Sequence, residues 1–353
     1  QDKELLRIGV RDILAKDSVR NTSASLSDLA EVILERVIAW QEPTPVQRYG
    51  RPLIAEGPRA GEVCRYAILA LGKLGGREMS YHSDLDLILI YEGDGKTEPI
   101  AFSDRFERME SIENFQYFTE LAQRIIKATS HLGPMGRLYA VDMRLRPAGN
   151  TGGLVLSLNE FRRYHEAGGG ELWERQTLTR ARPVHGDPEF AQELIHAVRE
   201  VIFGREWTPQ CIDEMVSMRE RLEHASNPRS LKRGPGGMMD VEFIVQMFLM
   251  KYRCRDLHRT NIWDALDALL AGGLLGVEEH QGLKDAYSFM RQVESRLRIV
   301  TNRALNETPK ATEDLEKLAR RLGFENSEQF RNVLQDHMKR VRKLFGELMR
   351  RER

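Results

Sequence analysis

Residues 66–71 (YAILAL) and 84–91 (DLDLILIY) restrict how this chain can fold more than any other feature. Each run is short, apolar and bounded by glycine or polar residues, which fits a buried strand better than an amphipathic helix. Between them lies a glycine-rich loop, residues 72–83 (GKLGGREMSYHS). A strand that enters such a loop and is followed by Asp84-Leu85-Asp86 at the head of a second strand implies a small sheet with two acids at one end. Strand side chains alternate, so Asp84 and Asp86 share a face while Leu85 and Leu87 point into the core. Residues 137–146 (RLYAVDMRLR) predict a third strand and residues 154–158 a short fourth, with a helix around 104–130.

Helical spacing accounts for most of the remainder. Leu5, Ile8, Val10 and Ile13 mark one apolar stripe, and Leu26, Leu29, Val32, Ile33 and Val37 another. The cap-forming residues at 21–28 (NTSASLSD) predict a break before Leu26. Residues 41–62, rich in proline, glycine and charge, read as a linker. From Leu158 onward the pattern is helical almost throughout, and it ends in a helical bundle. The expected fold is α+β and mostly helical: a small mixed β-sheet with N-terminal helices and a C-terminal bundle. The expected domains are residues 1–45, 46–205 and 206–353.

Charge narrows the function. In 353 residues, 53 Lys and Arg balance 53 Asp and Glu, for a formal net charge of zero. Tight nonspecific binding of nucleic acid normally needs a basic excess, so nucleic acid is not expected as a partner. Cys64, Cys211 and Cys254 stand far apart with no zinc spacing and read as reduced thiols. No apolar run is long enough to span a bilayer, and the N-terminal stretch is amphipathic, unlike a signal peptide. No membrane partner is expected, and the expected location is cytoplasmic.

Two carboxylates side by side repel one another, and a divalent cation is the simplest relief. Mg²⁺ takes a few carboxylate oxygens and leaves its other positions to water and phosphate, which suits nucleotidyl or phosphoryl transfer. Asp142, an acid between Val141 and Met143, is the natural third ligand if its strand lies beside the other two. Pairing with Arg144 or Arg146 is the plainer alternative for it. Gly72, Gly75 and Gly76 would let backbone approach a ligand, while Lys73 and Ser83 are candidates to touch a triphosphate. Arg144 and Arg146 are candidates to neutralise phosphate charge, and equally candidates for ion pairs flanking Asp142. His82 reads as an exposed loop histidine.

The strand, the glycines and D-x-D with a later third acid resemble the DNA-polymerase-β-like nucleotidyltransferase superfamily. Lys73 stands where the general pattern has Gly or Ser. Residues 72–88 (GKLGGREMSYHSDLDLI), 141–149 (VDMRLRPAG), 173–187 (WERQTLTRARPVHGD) and 232–246 (KRGPGGMMDVEFIVQ) together resemble the bacterial glutamine synthetase adenylyltransferase/adenylyl-removing family. That resemblance implies ATP as substrate, Mg²⁺ as cofactor, glutamine synthetase as protein substrate and regulation by PII signal proteins. Members carry two homologous halves. One attaches AMP to a tyrosine of glutamine synthetase, and the other removes it by phosphorolysis. Residues 4–14, 26–34, 121–125 and 173–182 resemble the C-terminal, adenylylating half, whereas 141–147 and 337–349 resemble the other. Adenylylation is the expected activity and deadenylylation the alternative. A silent regulatory module is disfavoured by the intact acids.

Overall fold

The computed structural model describes residues 1–99, 110–133, 136–145, 153–166 and 170–353. In chain order it begins with α1 (Asp2–Ile13), α2 (Val19–Gln41), α3 (Pro43–Tyr49), β1 (Arg51–Pro52), β2 (Tyr66–Ala70) and α4 (Gly72–Gly75). There follow β3 (Leu85–Tyr91), β4 (Thr97–Glu98), α5 (Asn114–Ser130), β5 (Val141–Asp142), β6 (Leu156–Ser157), α6 (Leu158–Glu166), α7 (Leu172–Leu178) and β7 (Arg182–Gly186). The rest is helical: α8 (Pro188–Gly204), α9 (Pro209–His224), α10 (Met238–Lys251), α11 (Ile262–Ala271), α12 (Val277–Thr301), α13 (Thr312–Arg321) and α14 (Ser327–Arg351). The fold is thus α+β and mostly helical, with a small mixed sheet.

Contacts group the chain into two units that interleave along the sequence. One holds Gln1, Ser27–Gly75 and Asp84–Val201, and the other holds Asp2–Leu26, Gly76–Ser83 and Ile202–Arg353. These are groupings by contact, and the three consecutive domains read from the sequence stay a proposal.

The first unit is built on the sheet β5-β3-β2-β7, with β6 also paired to β3. β2 and β3 run antiparallel from Tyr66↔Tyr91 to Ala70↔Leu87. Both are covered, and residues 67–70 and 87–91 are at most 2 % exposed. That double burial is why they read as continuous apolar runs and not as alternating ones. α5 lays Tyr117, Phe118, Leu121 and Ile125 into the core at helical spacing. Phe118 stacks on Tyr91 with ring centroids 5.0 Å apart. β5 pairs parallel with β3 for only two positions, Leu85↔Val141 and Asp86↔Asp142. Among the described residues of the strand expected over 137–146, only Val141 and Asp142 form this ladder, and beyond them the Asp142 carboxylate accepts the N–H of Arg144 at 2.8 Å. This local turn competes with the ladder. β7 was not expected at all. It is the edge strand beside β2, where Pro183 is tolerated, and it shifts register between Ile68 and Leu69.

Two other expectations are corrected. Residues 21–28 lie inside α2, and the helix break falls at 14–18 instead, where Ala15 takes φ +50. Ser18 Oγ accepts the N–H of Asn21 and starts α2, while Thr22, Ser23 and Ser27 are buried as small packing residues. Residues 41–62 are not a plain linker. They contain α3, which has a proline at its start, and β1, which pairs with β4. Asn114 fixes this region by donating to the carbonyls of Leu53 and Gly93, both at 2.9 Å.

The second unit is a helical bundle. α10 is buried almost all round and packs against α9, α11, α12 and α14, as expected for an apolar central helix. Arg219 of α9 and Asp240 of α10 form an ion pair in which both side chains are fully buried. Arg219 also donates to Gly234 O at 2.8 Å, and Asp240 accepts the Gly236 N–H at 2.9 Å. Burial pushes the Asp240 carboxyl above its usual range, against the pull of Arg219 and Arg342. Removing one partner of such a pair strands the other charge. Asp240→Ala is therefore expected to lower the unfolding free energy by about 3–5 kcal/mol in urea titrations. A loss below about 1 kcal/mol would show that the pair acts like an exposed one.

Candidate functional site

Within the sheet unit, Asp84 sits at the entrance to β3 and Asp86 two residues on, on the same face. Asp142 is the direct parallel partner of Asp86 across the β3–β5 ladder. One oxygen from each of Asp84, Asp86 and Asp142 lies within 4.8 Å of the other two. Asp84 is exposed and the other two are half-buried, while Leu85 and Leu87 are buried. The strand period thus separates acids from core, and the register sets their spacing.

Gly72 has a specific reason to be glycine. Its φ is +52, and a Cβ there would stand 2.1 Å from Oδ2 of Asp86. The bare Cα is what allows the carboxylate to lie against the turn. Gly75 is a packing glycine: a Cβ would meet the Arg180 carbonyl at 2.0 Å, and its N–H is bonded to Leu71 O at 2.9 Å. Lys73 is half-buried in the single turn α4. Arg182 was missed by sequence reasoning as a support of this loop. Its guanidinium donates to Leu74 O at 3.0 Å and Gly75 O at 3.1 Å while pairing with Glu31. These are the end carbonyls of α4, which need a donor. Nothing in the sequence relates positions so far apart.

Arg144 binds Asp142 through Nε and Nη2 at 3.0 and 2.5 Å. The guanidinium pKa is raised, first by the hydrogen bond and charge of Asp142 and further by Asp84 and Asp86. Arg146 lies outside the described residues. Gly76 and Ser83 group with the helical unit. Gly76 O accepts from Asn261 at 2.8 Å, and the buried Ser83 accepts the N–H of Ser80 at 3.1 Å. His82 is exposed.

The donor chemistry fits a hard divalent ion: oxygen ligands only, converging on one face, in a field that already draws a guanidinium. Glycine turn, paired aspartates and a third acid on a neighbouring strand of a small mixed sheet define a nucleotidyltransferase-like arrangement. Comparison with known proteins narrows the class. Residues 1–197 match the family "Glutamate-ammonia ligase adenylyltransferase", and residues 210–349 match "GlnD PII-uridylyltransferase". The chain is 31 % identical over 340 residues to the bifunctional glutamine synthetase adenylyltransferase/adenylyl-removing enzyme of Pseudomonas putida, covering 95 % of the chain and 34 % of that relative. The same-named protein of Streptomyces coelicolor is 33 % identical over 326 residues, 91 % of the chain and 30 % of the relative. That of Nitrosococcus oceani is 31 % identical over 354 residues, 99 % of the chain and 35 % of the relative. The chain belongs to the glutamate-ammonia ligase adenylyltransferase family. It spans about a third of the length of these curated relatives.

The Gly72 contact makes a direct prediction. Gly72→Ala must displace the Asp86 carboxylate and hold Ala at positive φ, a strain of about 1–3 kcal/mol. Manganese binding, followed by the electron paramagnetic resonance of free Mn²⁺, should weaken roughly 10–100-fold. An unchanged affinity would mean that Asp86 is not held by this turn for a cation.

Proposed function

We propose that this chain transfers AMP from ATP to a tyrosine hydroxyl of glutamine synthetase, with Mg²⁺ held by Asp84, Asp86 and Asp142. The observation that carries the reading is the convergence of these three carboxylates beside Gly72, in a chain of this family. Bound Mg²⁺ would supply charge neutralisation at the phosphates and make the acceptor hydroxyl easier to ionise. The tyrosine oxygen attacks the α-phosphorus in line, and pyrophosphate leaves. Asp142, beside Asp86, is placed to orient the acceptor or take its proton. Arg144, turned away from Asp142, would face developing charge on the phosphates, with Lys73 adding a point charge. Gly72 keeps the Asp86 carboxylate in line.

The relatives' name carries both directions of the chemistry, which keeps phosphorolytic removal of AMP as the second reading. It would use the same acids, with inorganic phosphate attacking the AMP–tyrosine bond and ADP leaving. We further propose a cytoplasmic setting and regulation by a PII-type signal protein. Among the described residues, no helix is long and apolar enough to cross a membrane.

Incubation of the purified chain with α-labelled ATP and unmodified glutamine synthetase separates the readings. Label should appear on the synthetase and should vanish with Asp84→Asn/Asp86→Asn at a melting temperature no lower than that of the wild type. Release of ADP from adenylylated synthetase and phosphate, with no labelling, would favour phosphorolytic removal of AMP. Transfer that survives the double substitution would remove these acids from the chemistry.

A further inference from the structure

Eight residues, 76–83, join the glycine turn to Asp84, and by their contacts they belong to the helical unit. The segment is unusually well anchored for a loop. Glu78 is fully buried. Its Oε1 accepts the N–H of Ile262 at 2.7 Å, at the first residue of α11, and its Oε2 accepts the hydroxyl of Tyr287 of α12. Its carbonyl accepts from Arg291, which is 2 % exposed and also binds Glu294 at 2.7 Å. Further along, Tyr81 O accepts from Arg298 at 2.9 Å, and Tyr81 hydroxyl donates to Asp12 at 3.2 Å. Tyr287, Arg291 and Arg298 recur at helical spacing, so one face of α12 serves this segment.

The arrangement needs an explanation. Loops normally run over the surface, because burying their polar groups demands a partner for each. Here a carboxylate is buried at the start of a helix, where the N-terminal N–H groups and the dipole favour it. Two non-glycine residues, Arg77 and His82, hold φ of +53 and +56 near either end of the segment. Such conformations persist where surrounding structure over-determines them, and they cluster at functional sites. The segment leads covalently from Ser83 into Asp84.

We infer that Glu78 and Tyr287 are positioning residues for the nucleotidyl transfer, acting through the backbone that leads into Asp84. The anchors of Glu78 and Tyr81 on α11 and α12 then fix the chain just ahead of Asp84. The inference rests on the reading of Asp84, Asp86 and Asp142 as a cation site.

Tyr287→Phe deletes one hydroxyl and leaves the ring against Trp263. Glu78→Gln changes the same bond from the other side with little change of shape. Mn²⁺ affinity, kcat and KM for ATP, and melting temperature are measured for both. Each variant should bind Mn²⁺ about 10–100-fold more weakly and lose kcat, with little change in KM for ATP. If one variant fails to fold, the other still makes the test. Wild-type affinity and kcat in the folded variants, with or without a lower melting temperature, would overturn the inference and leave the cation site standing. Absence of Mn²⁺ binding by the wild-type chain would instead remove the cation site, and this inference with it.

Discussion

The two-residue parallel pairing of β3 with β5 is the constraint on which the site depends. It sets Asp86 opposite Asp142, and strand alternation adds Asp84 on the same face. Three carboxylates whose oxygens lie within 4.8 Å of one another repel. At an effective dielectric of about 20, each pair costs on the order of 3 kcal/mol before solvent screening at the exposed Asp84. The sheet must hold them against this force. It does so with a deeply buried antiparallel pair behind the acids and with a glycine turn whose Cα gives Asp86 room. Arg144 offsets part of the repulsion from an exposed position.

That compensation explains why the two readings of Asp142 open at the sequence level are compatible. The acid pairs with Arg144, and it also faces Asp84 and Asp86. A guanidinium on an exposed side chain is a replaceable counter-charge, whereas one locked in the core is not. Arg219 on Asp240 is the contrasting case, buried on both sides and serving the bundle.

Residues whose information is local were legible in the sequence. The apolar runs of β2 and β3, the alternation of Asp84 and Asp86, the helical stretch that holds α5 and the short β6 all follow from neighbours a few positions away. Tertiary packing hid the rest. β7 contains proline and histidine and is a strand only because β2 offers it an edge. The cap-forming residues at 21–28 are helical because small polar side chains pack well there, and Ser18 caps instead. Gly75 was read as a phosphate-loop residue, yet its Cα packs on the Arg180 carbonyl and its N–H is already bonded. Arg182 supports α4 across a separation that no spacing reveals. The attachment of residues 76–83 to α11 and α12 is likewise invisible in a loop read by composition. The two family matches fall on consecutive blocks, 1–197 and 210–349, although the contacts interleave.

Anomalous diffraction at the manganese edge, from crystals of this chain grown with Mn²⁺, tests the account most directly. A peak bounded by the carboxylates of Asp84, Asp86 and Asp142, with Arg144 turned away from Asp142, is the predicted result. Density for Arg144 still seated on Asp142 and no anomalous signal among the three acids, at saturating Mn²⁺, would contradict it.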